Sequence, residues 1–237
     1  YPAWPLLKEN TKGMLGFSSR AQLASELTDA KSAQAVYLEK IAAMPLNEIV
    51  ADKELTQFAV AGGAAAFKVN CTPCHGSGAQ GGNGYPNLND DDWLWGGDLE
   101  AINTTLAHGI RYESDPDTRV SEMPAFGDIL DADQIKQVAA YVVSLTGTPA
   151  DASMVEPGKT IFAENCASCH GEDAKGGRDF GAPNLADAIW LKVNGEAEIA
   201  QQVTRPKHGV MPAWNARLGE TTVKQLAIYV HSLGGGE

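Results

Sequence analysis

The sequence predicts an all-helical fold that is built twice from one pattern. Two copies of Cys-x-x-Cys-His, at residues 71–75 and 166–170, stand 95 residues apart in a chain of 237. Self-similarity at a fixed spacing indicates tandem repeats. Apolar residues near the end of each copy follow the i, i+3, i+4, i+7 spacing of a helix with one buried face. Since no pair of segments has the alternation typical of neighbouring strands, both copies are predicted to be helical.

Six further landmarks recur in the same order in both copies, which excludes a chance match. They are a Phe four residues before the first Cys (Phe67, Phe162), Pro-Asn-Leu (86–88, 183–185), Trp-Leu (Trp93, Trp190), His-Gly (108–109, 208–209), Met-Pro-Ala (123–125, 211–213) and Tyr-Val-x-Ser-Leu (141–145, 229–233). The sequence therefore divides into an N-terminal extension (1–55), a first repeat (56–148) and a second repeat (149–237). The first repeat carries 12 extra residues between its His and its Met, and residues 112–117 within them are predicted to form an acidic surface loop.

Individual helices are predicted from local signals. Asp131 and Gln134 have the spacing of a capping box at the start of the last helix of the first repeat. Pro157 suits the first turn of the helix that leads to the second signature. In the extension, residues 18–40 are expected to form one or two amphipathic helices. The apolar stripes of the two final helices consist of Ile135, Val138, Ala139, Val142 and Leu145, and of Val223, Leu226, Ala227, Val230 and Leu233.

The composition excludes several classes of function. The formal net charge of −12 argues against nucleic acid, whose phosphates require a basic surface. No apolar run within the 237 residues approaches the roughly 18 to 20 residues that span a bilayer. An acidic protein is instead suited to a basic protein partner.

The Cys-x-x-Cys-His signature has a geometric rationale. On a helical turn, positions i, i+3 and i+4 lie on one face. Two thiols placed there can form thioethers to the two vinyl groups of one haem, while the His reaches the iron; this is the attachment signal of c-type haem. The sequence thus predicts two covalent haems, with His75 and His170 as iron ligands. The cysteines predicted to hold them are Cys71, Cys74, Cys166 and Cys169. Zinc binding, a redox dithiol or disulfides are the alternatives, but none of them calls for a His after each second Cys.

The sixth iron ligands are predicted to be Met123 and Met211. They are the methionines that recur at matched positions, and each precedes a Pro, which stiffens the loop presenting the side chain. Ligation by two histidines, using His108 and His208, is the alternative. Whether each Met ligates the iron of its own repeat is left open by the sequence.

Two further matched pairs are expected to support the haems. Backbone carbonyls of Pro86 and Pro183 are suited to accept the Nδ1–H of the iron-ligating histidines, which fixes the ring orientation. Trp93 and Trp190 are expected to pack against the haems, although core residues would have the same pattern.

With these residues in place, each repeat resembles a class I cytochrome c domain. The whole chain resembles the dihaem P subunits of cbb3-type cytochrome c oxidases, called CcoP or, in rhizobia, FixP. The haem motifs carry the resemblance to cytochrome c. The opening Tyr-Pro-Ala-Trp-Pro, the segment around residues 35–38 and the insertion of the first repeat carry the resemblance to the P subunit.

The resemblance implies an electron-transfer subunit without catalytic residues of its own. Such a subunit takes electrons from a donor cytochrome c and passes them to the haem–copper subunit that reduces oxygen. It also implies the periplasmic side of the bacterial inner membrane and an N-terminal transmembrane anchor, which is missing from these 237 residues. The alternatives are a soluble dihaem cytochrome c or the cytochrome subunit of a periplasmic dehydrogenase, and a dihaem peroxidase, against which two matched Met ligands count.

The charge is unevenly distributed along the sequence. Subtracting Asp and Glu from Lys and Arg gives −1 for residues 1–55, −8 for 56–148 and −3 for 149–237. Because steering depends on local charge, the first repeat is predicted to be where a basic donor cytochrome docks.

Overall fold

Helices provide the regular secondary structure in residues 17–187, 189–193 and 195–236, which are the residues that this computed structural model describes. The opening Tyr-Pro-Ala-Trp-Pro lies outside them. Within them the only pairing of extended backbone consists of isolated bridges, so the predicted all-helical fold is confirmed. In chain order the α-helices are α1 (Ser19–Ala43), α2 (Leu46–Ala51), α3 (Lys53–Asn70), α4 (Thr72–His75), α5 (Leu99–His108), α6 (Ala132–Ser144), α7 (Val155–Asn165), α8 (Ala167–His170), α9 (Glu196–Thr204), α10 (Asn215–Leu218) and α11 (Glu220–His231).

The chain divides into two compact units, Tyr1–Met44 and Pro45–Glu237. The described part of the first unit is mainly α1. Leu23, Leu27 and Val36 are each more than half exposed, so the predicted amphipathic character of this helix is wrong. The apolar residues expected on one face are Leu23, Leu27, Val36 and Ile41, and of these only Ile41 is buried. Val36 follows Leu23 by 13 residues, which at 3.6 residues per turn places it on nearly the opposite side.

Local capping sets the helix boundaries in the second unit. Asp131 caps α6 in the predicted capping box, with Gln134 bonded back to the Asp131 backbone. Asp52 caps α3 and Asp98 caps α5, and in both caps the carboxylate accepts hydrogen bonds from backbone N–H groups of the first turn. Pro157 lies in the first turn of α7, as predicted.

The second unit contains two hydrophobic cores, and each core takes residues from both repeats. In the first core, α3 and α5 of the first repeat pack against α10 and α11 of the second repeat. Its Cys71 belongs to the first signature, whereas its Trp214 and Leu226 come from the end of the second repeat. The buried residues of the first core are Phe67, Cys71, Ala79, Ile102, Leu106, Ala107, Trp214, Val223, Leu226, Ala227 and Val230.

The second core has the reciprocal composition. Here α7 and α9 of the second repeat pack against α6 of the first repeat. Both predicted stripes are therefore buried, but each covers the signature of the other repeat. The buried residues of the second core are Phe126, Ile135, Val138, Ala139, Val142, Ile161, Phe162, Cys166, Ala174, Ile199 and Val203.

One close helix crossing occurs in each core with the same residue types. In the first core, α3 crosses α11 at Gly63, where an added Cβ would overlap the backbone carbonyl of Gln225 and lie 2.6 Å from the Cβ of Tyr229. The ring of Phe67 packs at 5.4 Å against that of Tyr229. Glycine permits this approach because it has no Cβ, and the aromatic pair closes the contact one turn further along.

The crossing of α7 and α6 in the second core reproduces each of these contacts. Gly158 lies against the carbonyl of Gln137, with an added Cβ 2.9 Å from the Cβ of Tyr141. Phe162 packs at 5.2 Å against Tyr141. The same crossing is thus made twice, each time between helices of different repeats.

The exchange of helices between the repeats can be followed along the chain. Residues 123–204 contain all of the second core. Residues 45–122 and 205–236 together contain all of the first core. The chain leaves the first core through residues 109–122, here named the first crossover, and returns through residues 205–210, the second crossover. The repeat boundaries predicted from sequence therefore do not coincide with the cores, because the helix that closes each core belongs to the other repeat.

We expect Gly63→Ala and Gly158→Ala each to destabilise one core by about 1 to 3 kcal/mol, because the added methyl group meets a backbone carbonyl that cannot move aside. Gly62→Ala is the matched control, since its methyl group meets the flexible side chain of Gln225. Denaturant unfolding measures the free energies. An effect of Gly63→Ala no larger than that of Gly62→Ala contradicts the crossing.

Candidate haem sites

Each Cys-x-x-Cys-His signature forms one helical turn after a longer helix. Cys71 ends α3, and α4 then carries Cys74 and His75. Cys166 ends α7 and α8 carries the equivalent residues. The first Cys of each signature is buried in its core and the second lies further out. The three side chains therefore project from one turn, as the spacing predicts.

The histidines of both signatures bond to the predicted proline carbonyls. The Nδ1 of His75 lies 3.1 Å from the Pro86 carbonyl oxygen, and that of His170 lies 3.1 Å from the Pro183 oxygen. Burial lowers the pKa of both imidazoles, and the bonds to the carbonyls oppose that shift. A neutral imidazole that donates from Nδ1 presents Nε2 as an acceptor, which is the form that ligates iron.

The loop after each signature folds back onto its histidine. The Gly81 N–H donates to the His75 carbonyl, and the Leu88 N–H donates to the Ala79 carbonyl. Ala79 is fully buried with a φ of 60°, a left-handed conformation that is uncommon for a residue with a Cβ. Ala174 repeats this with a φ of 59° and no exposure. Sequence reasoning missed this pair, although its equal distance from the two signatures was a usable signal.

The two methionines pack against the core of the other repeat. Met211 contacts the first core, which contains Cys71, whereas Met123 contacts the second core, which contains Cys166. The backbone of Met211 pairs with Ile110 through two hydrogen bonds of 2.9 and 3.0 Å, which fixes its loop beside α5. The structure thus places each Met against the core that contains the first Cys of the opposite repeat's signature.

The histidines of the alternative ligand set, His108 and His208, are not members of either core. His108 is partly exposed, and its Nδ1 lies 3.2 Å from a carboxylate oxygen of Asp115 in the insertion. His208 is exposed. The insertion itself is turn-rich with Glu113 and Asp117 at the surface, as the sequence predicts.

The two predicted tryptophans are half-buried against the cores. Trp93 packs against the first core and donates from its indole nitrogen to the Gly235 carbonyl. Trp190 packs against the second core. Each Trp therefore packs against the core that holds the first Cys of its own repeat, and its contact with a haem stays a prediction.

The four cysteines of the signatures are free thiols in the structure. None of the four, which all lie in the described residues, forms a disulfide. Burial, together with the neighbouring Cys, raises the pKa of Cys71 and of Cys166 to about 11. A thiol that stays protonated at neutral pH is a slow redox nucleophile. The tight cluster of potential metal ligands found in the described residues consists of His108, Asp115 and Asp117, and includes no cysteine.

One buried donor in the first half, Arg119 Nε, also fits an acidic group. Asn103 Oδ1 and Arg119 Nε are buried without a hydrogen-bond partner among the described residues. Such orphaned groups are uncommon in folded proteins. Arg119 lies over the ring of Trp95 at 5.2 Å, so its guanidinium is held near the loop that follows Pro86. A haem carries propionates that match such a donor, and the residues present therefore fit the group.

Comparison with known proteins agrees with this geometry. A model of the family described as cytochrome c oxidase, cbb3-type, subunit III matches residues 58–142 and 153–230. The chain belongs to this subunit III family. It is 63% identical over 237 residues to the Cbb3-type cytochrome c oxidase subunit FixP of Rhizobium meliloti (strain 1021), covering 100% of this chain and 82% of that protein. It is 52% identical over 239 residues to the subunit CcoP of Cereibacter sphaeroides, with coverage of 100% and 82%.

Membership of the subunit III family confirms the predicted resemblance and the tandem cytochrome c domains. It also confirms an electron-transfer role, separate from that of the catalytic subunit, so a soluble dihaem cytochrome or a dehydrogenase subunit is not favoured. Among the described residues, no helix is long and apolar enough to cross a membrane.

We expect Ala79→Val to cost about 2 kcal/mol of unfolding free energy, because a β-branched side chain cannot adopt the left-handed conformation in a filled core without strain. Ala79→Gly is the control, and we expect it to stay within about 1 kcal/mol of the wild type since glycine accepts this φ. Denaturant unfolding and covalent haem content measure both variants, and Ala174 offers the same test in the second core. Equal stability of the Val and Gly variants contradicts the strained conformation.

Proposed function

We propose that this chain holds two haem c groups, one on each Cys-x-x-Cys-His signature, and relays single electrons from a donor cytochrome c to the haem–copper catalytic subunit of a cbb3-type oxidase. The observation that carries the proposal is the duplication of a complete site. Each signature has a buried first Cys, a histidine bonded at 3.1 Å to a proline carbonyl, a left-handed alanine loop and a methionine against the same core.

The iron ligands in this proposal are crossed between the repeats. His75 and Met211 serve the haem on Cys71 and Cys74, while His170 and Met123 serve the other. The support is the composition of the two cores, each of which holds one signature and the methionine of the other repeat. When bound, haem c supplies a one-electron couple whose potential is raised by a His and Met ligand pair.

The chain's own residues do the rest of the work at each site. The thiols anchor the group to one helical turn, which fixes its position without contributing to the electron step. The proline carbonyls hold the imidazole planes and leave Nε2 available. The apolar side chains of each core keep water from the iron, which favours a stable potential.

A relay of electrons requires that the two sites be neighbours. The Gly84 N–H, two residues before Pro86, donates at 2.7 Å to the carbonyl of Leu191, which follows Trp190. The loops that bond the two iron-ligating histidines therefore touch directly. A cavity of about 280 Å³ lies at this junction, lined by residues 91–94 on one side and 175–178 on the other.

The electron donor in this proposal is a basic cytochrome c. Support comes from the net charge of −12. Counting this charge for the residues around each core gives a different distribution from counting it for each repeat. Residues 45–122 with 205–237 carry 8 Lys and Arg against 14 Asp and Glu, and residues 123–204 carry 5 against 12. The net charges of −6 and −7 are nearly equal, so charge does not favour the first repeat as the docking site. The exchange of helices between the repeats removes the difference in net charge, because the C-terminal segment has more basic than acidic residues and joins the first core.

We place the sites on the periplasmic side of the bacterial inner membrane, with a transmembrane anchor outside residues 1–237. The support is the family membership, since the relatives are subunits of a respiratory oxidase. Subunits of that oxidase, including the haem–copper subunit, are the proposed partners.

The crossed ligation predicts which methionine controls which haem. In a Cys71→Ala/Cys74→Ala background, which retains the haem on Cys166 and Cys169, we expect Met123→Ala to remove the near-infrared charge-transfer band of Met-ligated ferric haem. We also expect the midpoint potential to fall by on the order of 100 mV. Met211→Ala is the matched control and should leave both quantities unchanged. Loss of the band with Met211→Ala instead means that ligation stays within each repeat.

The oxidase assignment predicts the behaviour of the full-length protein. Affinity purification from detergent-solubilised membranes should yield a complex that contains a haem–copper subunit and consumes oxygen when given a reduced basic cytochrome c. The rate should fall as salt is raised from about 0.01 M to about 0.5 M, because steering by opposite charges is screened. An acidic donor cytochrome is the control and should show no such fall. A water-soluble product without an oxidase partner contradicts the proposal.

A further inference from the structure

Arg111 lies where the two crossovers meet, and it bonds to both. Its Nε donates to the Gly209 carbonyl at 2.7 Å, and its Nη1 donates to the Ser121 carbonyl at 2.8 Å. Gly209 stands two residues before Met211, and Ser121 stands two residues before Met123. One guanidinium thus joins the loop of one methionine to the loop of the other.

The backbone around Arg111 is held in an unusual conformation. Its φ is 51°, in the left-handed region that residues with a Cβ seldom occupy. Backbone strain of this kind persists only where surrounding contacts impose it, and it is concentrated at functional positions. The contacts here are hydrogen bonds on both sides, since Ile110 pairs with Met211 while the Arg111 N–H donates at 2.8 Å to the Arg119 carbonyl.

The surroundings of the guanidinium disfavour its charge, because it is partly buried and the like charge of Lys192 is nearby, so the hydrogen bonds to Gly209 and Ser121 hold it in place. Burial lowers the pKa of Arg111, and the nearby carboxylate of Glu122 opposes the shift. A guanidinium stays charged at neutral pH, and its rigid fork can satisfy two acceptors at once. Lys192 reinforces the same junction, because its Nζ donates at 2.7 Å to the Lys207 carbonyl in the second crossover.

We propose that Arg111 is a positioning residue for both axial methionines, so that one side chain, which belongs to neither buried core, couples ligation at the two irons. The inference rests on the crossed ligation proposed above. In this arrangement, the two charge-assisted bonds hold the segments that lead into Met123 and Met211, and loss of the guanidinium loosens both loops together.

The test uses cyanide binding to the ferric, full-length holoprotein, because cyanide must displace the methionine to reach the iron. We expect Arg111→Gln to raise the apparent cyanide affinity about tenfold at both haems, since a hydrogen bond from a charged donor is lost from each loop. The near-infrared Met band should weaken at both haems and both midpoint potentials should fall. Covalent haem content and helical circular dichroism should remain those of the wild type.

Two further variants separate the guanidinium from other effects. Arg205→Gln is the matched control, because Arg205 is an exposed arginine in the second crossover, and it should not change cyanide affinity at either haem. Arg111→Lys keeps the charge but has a single ammonium in place of the fork, so we expect an affinity between the wild type and Arg111→Gln. If Arg111→Lys equals the wild type at both haems, charge alone suffices and the bidentate role is overturned. If Arg111→Gln does not fold, this Lys variant still decides the question.

The outcomes distinguish this inference from the proposed function. If Arg111→Gln changes the cyanide affinity of one haem only, the proposed coupling is overturned. If Arg111→Gln leaves cyanide affinity unchanged at both haems, while Met123→Ala and Met211→Ala each raise it at the haem assigned to them, the role of Arg111 is overturned. The crossed ligation is then retained. If the two methionine variants leave cyanide affinity unaltered, the proposed ligation fails, and the inference about Arg111 fails with it.

Discussion

The close crossing of two helices at a glycine is the contact on which the rest of the second unit depends. Gly63 and Gly158 let the helix before each signature lie directly against the backbone of a second helix, and an aromatic pair closes the contact. Because the second helix comes from the other repeat in both cases, its preceding methionine loop is delivered to the other signature as well. Exchange of one helix therefore determines the composition of both cores and of both candidate iron sites.

This exchange makes the two sites interdependent. Residues 123–204 form the second core as one continuous segment, whereas the two ends of the second unit, residues 45–122 and 205–236, form the first core. The chain must cross between the cores twice, and the crossovers lie side by side through the pairing of Ile110 with Met211. The 12 extra residues of the first repeat give one crossover the length to carry Arg111 to both methionine loops. An insertion that seemed from its composition to be only a surface loop thus supplies the junction.

The electrostatics of the protein also depend on the exchange. Counted along the sequence, the first repeat carries most of the negative charge. The residues around the first core and those around the second core nevertheless carry nearly the same net charge. Steering of a basic partner follows the distribution of charge in space and not along the chain. The residues around each core therefore carry a net negative charge, while the contact between Gly84 and Leu191 links the loops beside the two histidines.

The sequence by itself determined the helical fold, the duplication, the attachment residues and the proline carbonyls, because these follow from short-range spacing on one turn, one helix face or one loop. The capping box at Asp131 and the buried stripes of α6 and α11 follow from the same local rules. It could not determine which repeat each stripe covers, since two helices with the same apolar pattern fit either partner equally well. Nor could it single out Ala79 or Arg111, whose importance lies in a backbone conformation and in carbonyls far away in the chain. Only the tertiary structure decided the pairing, because the choice depends on long-range packing and on the geometry of the two crossovers.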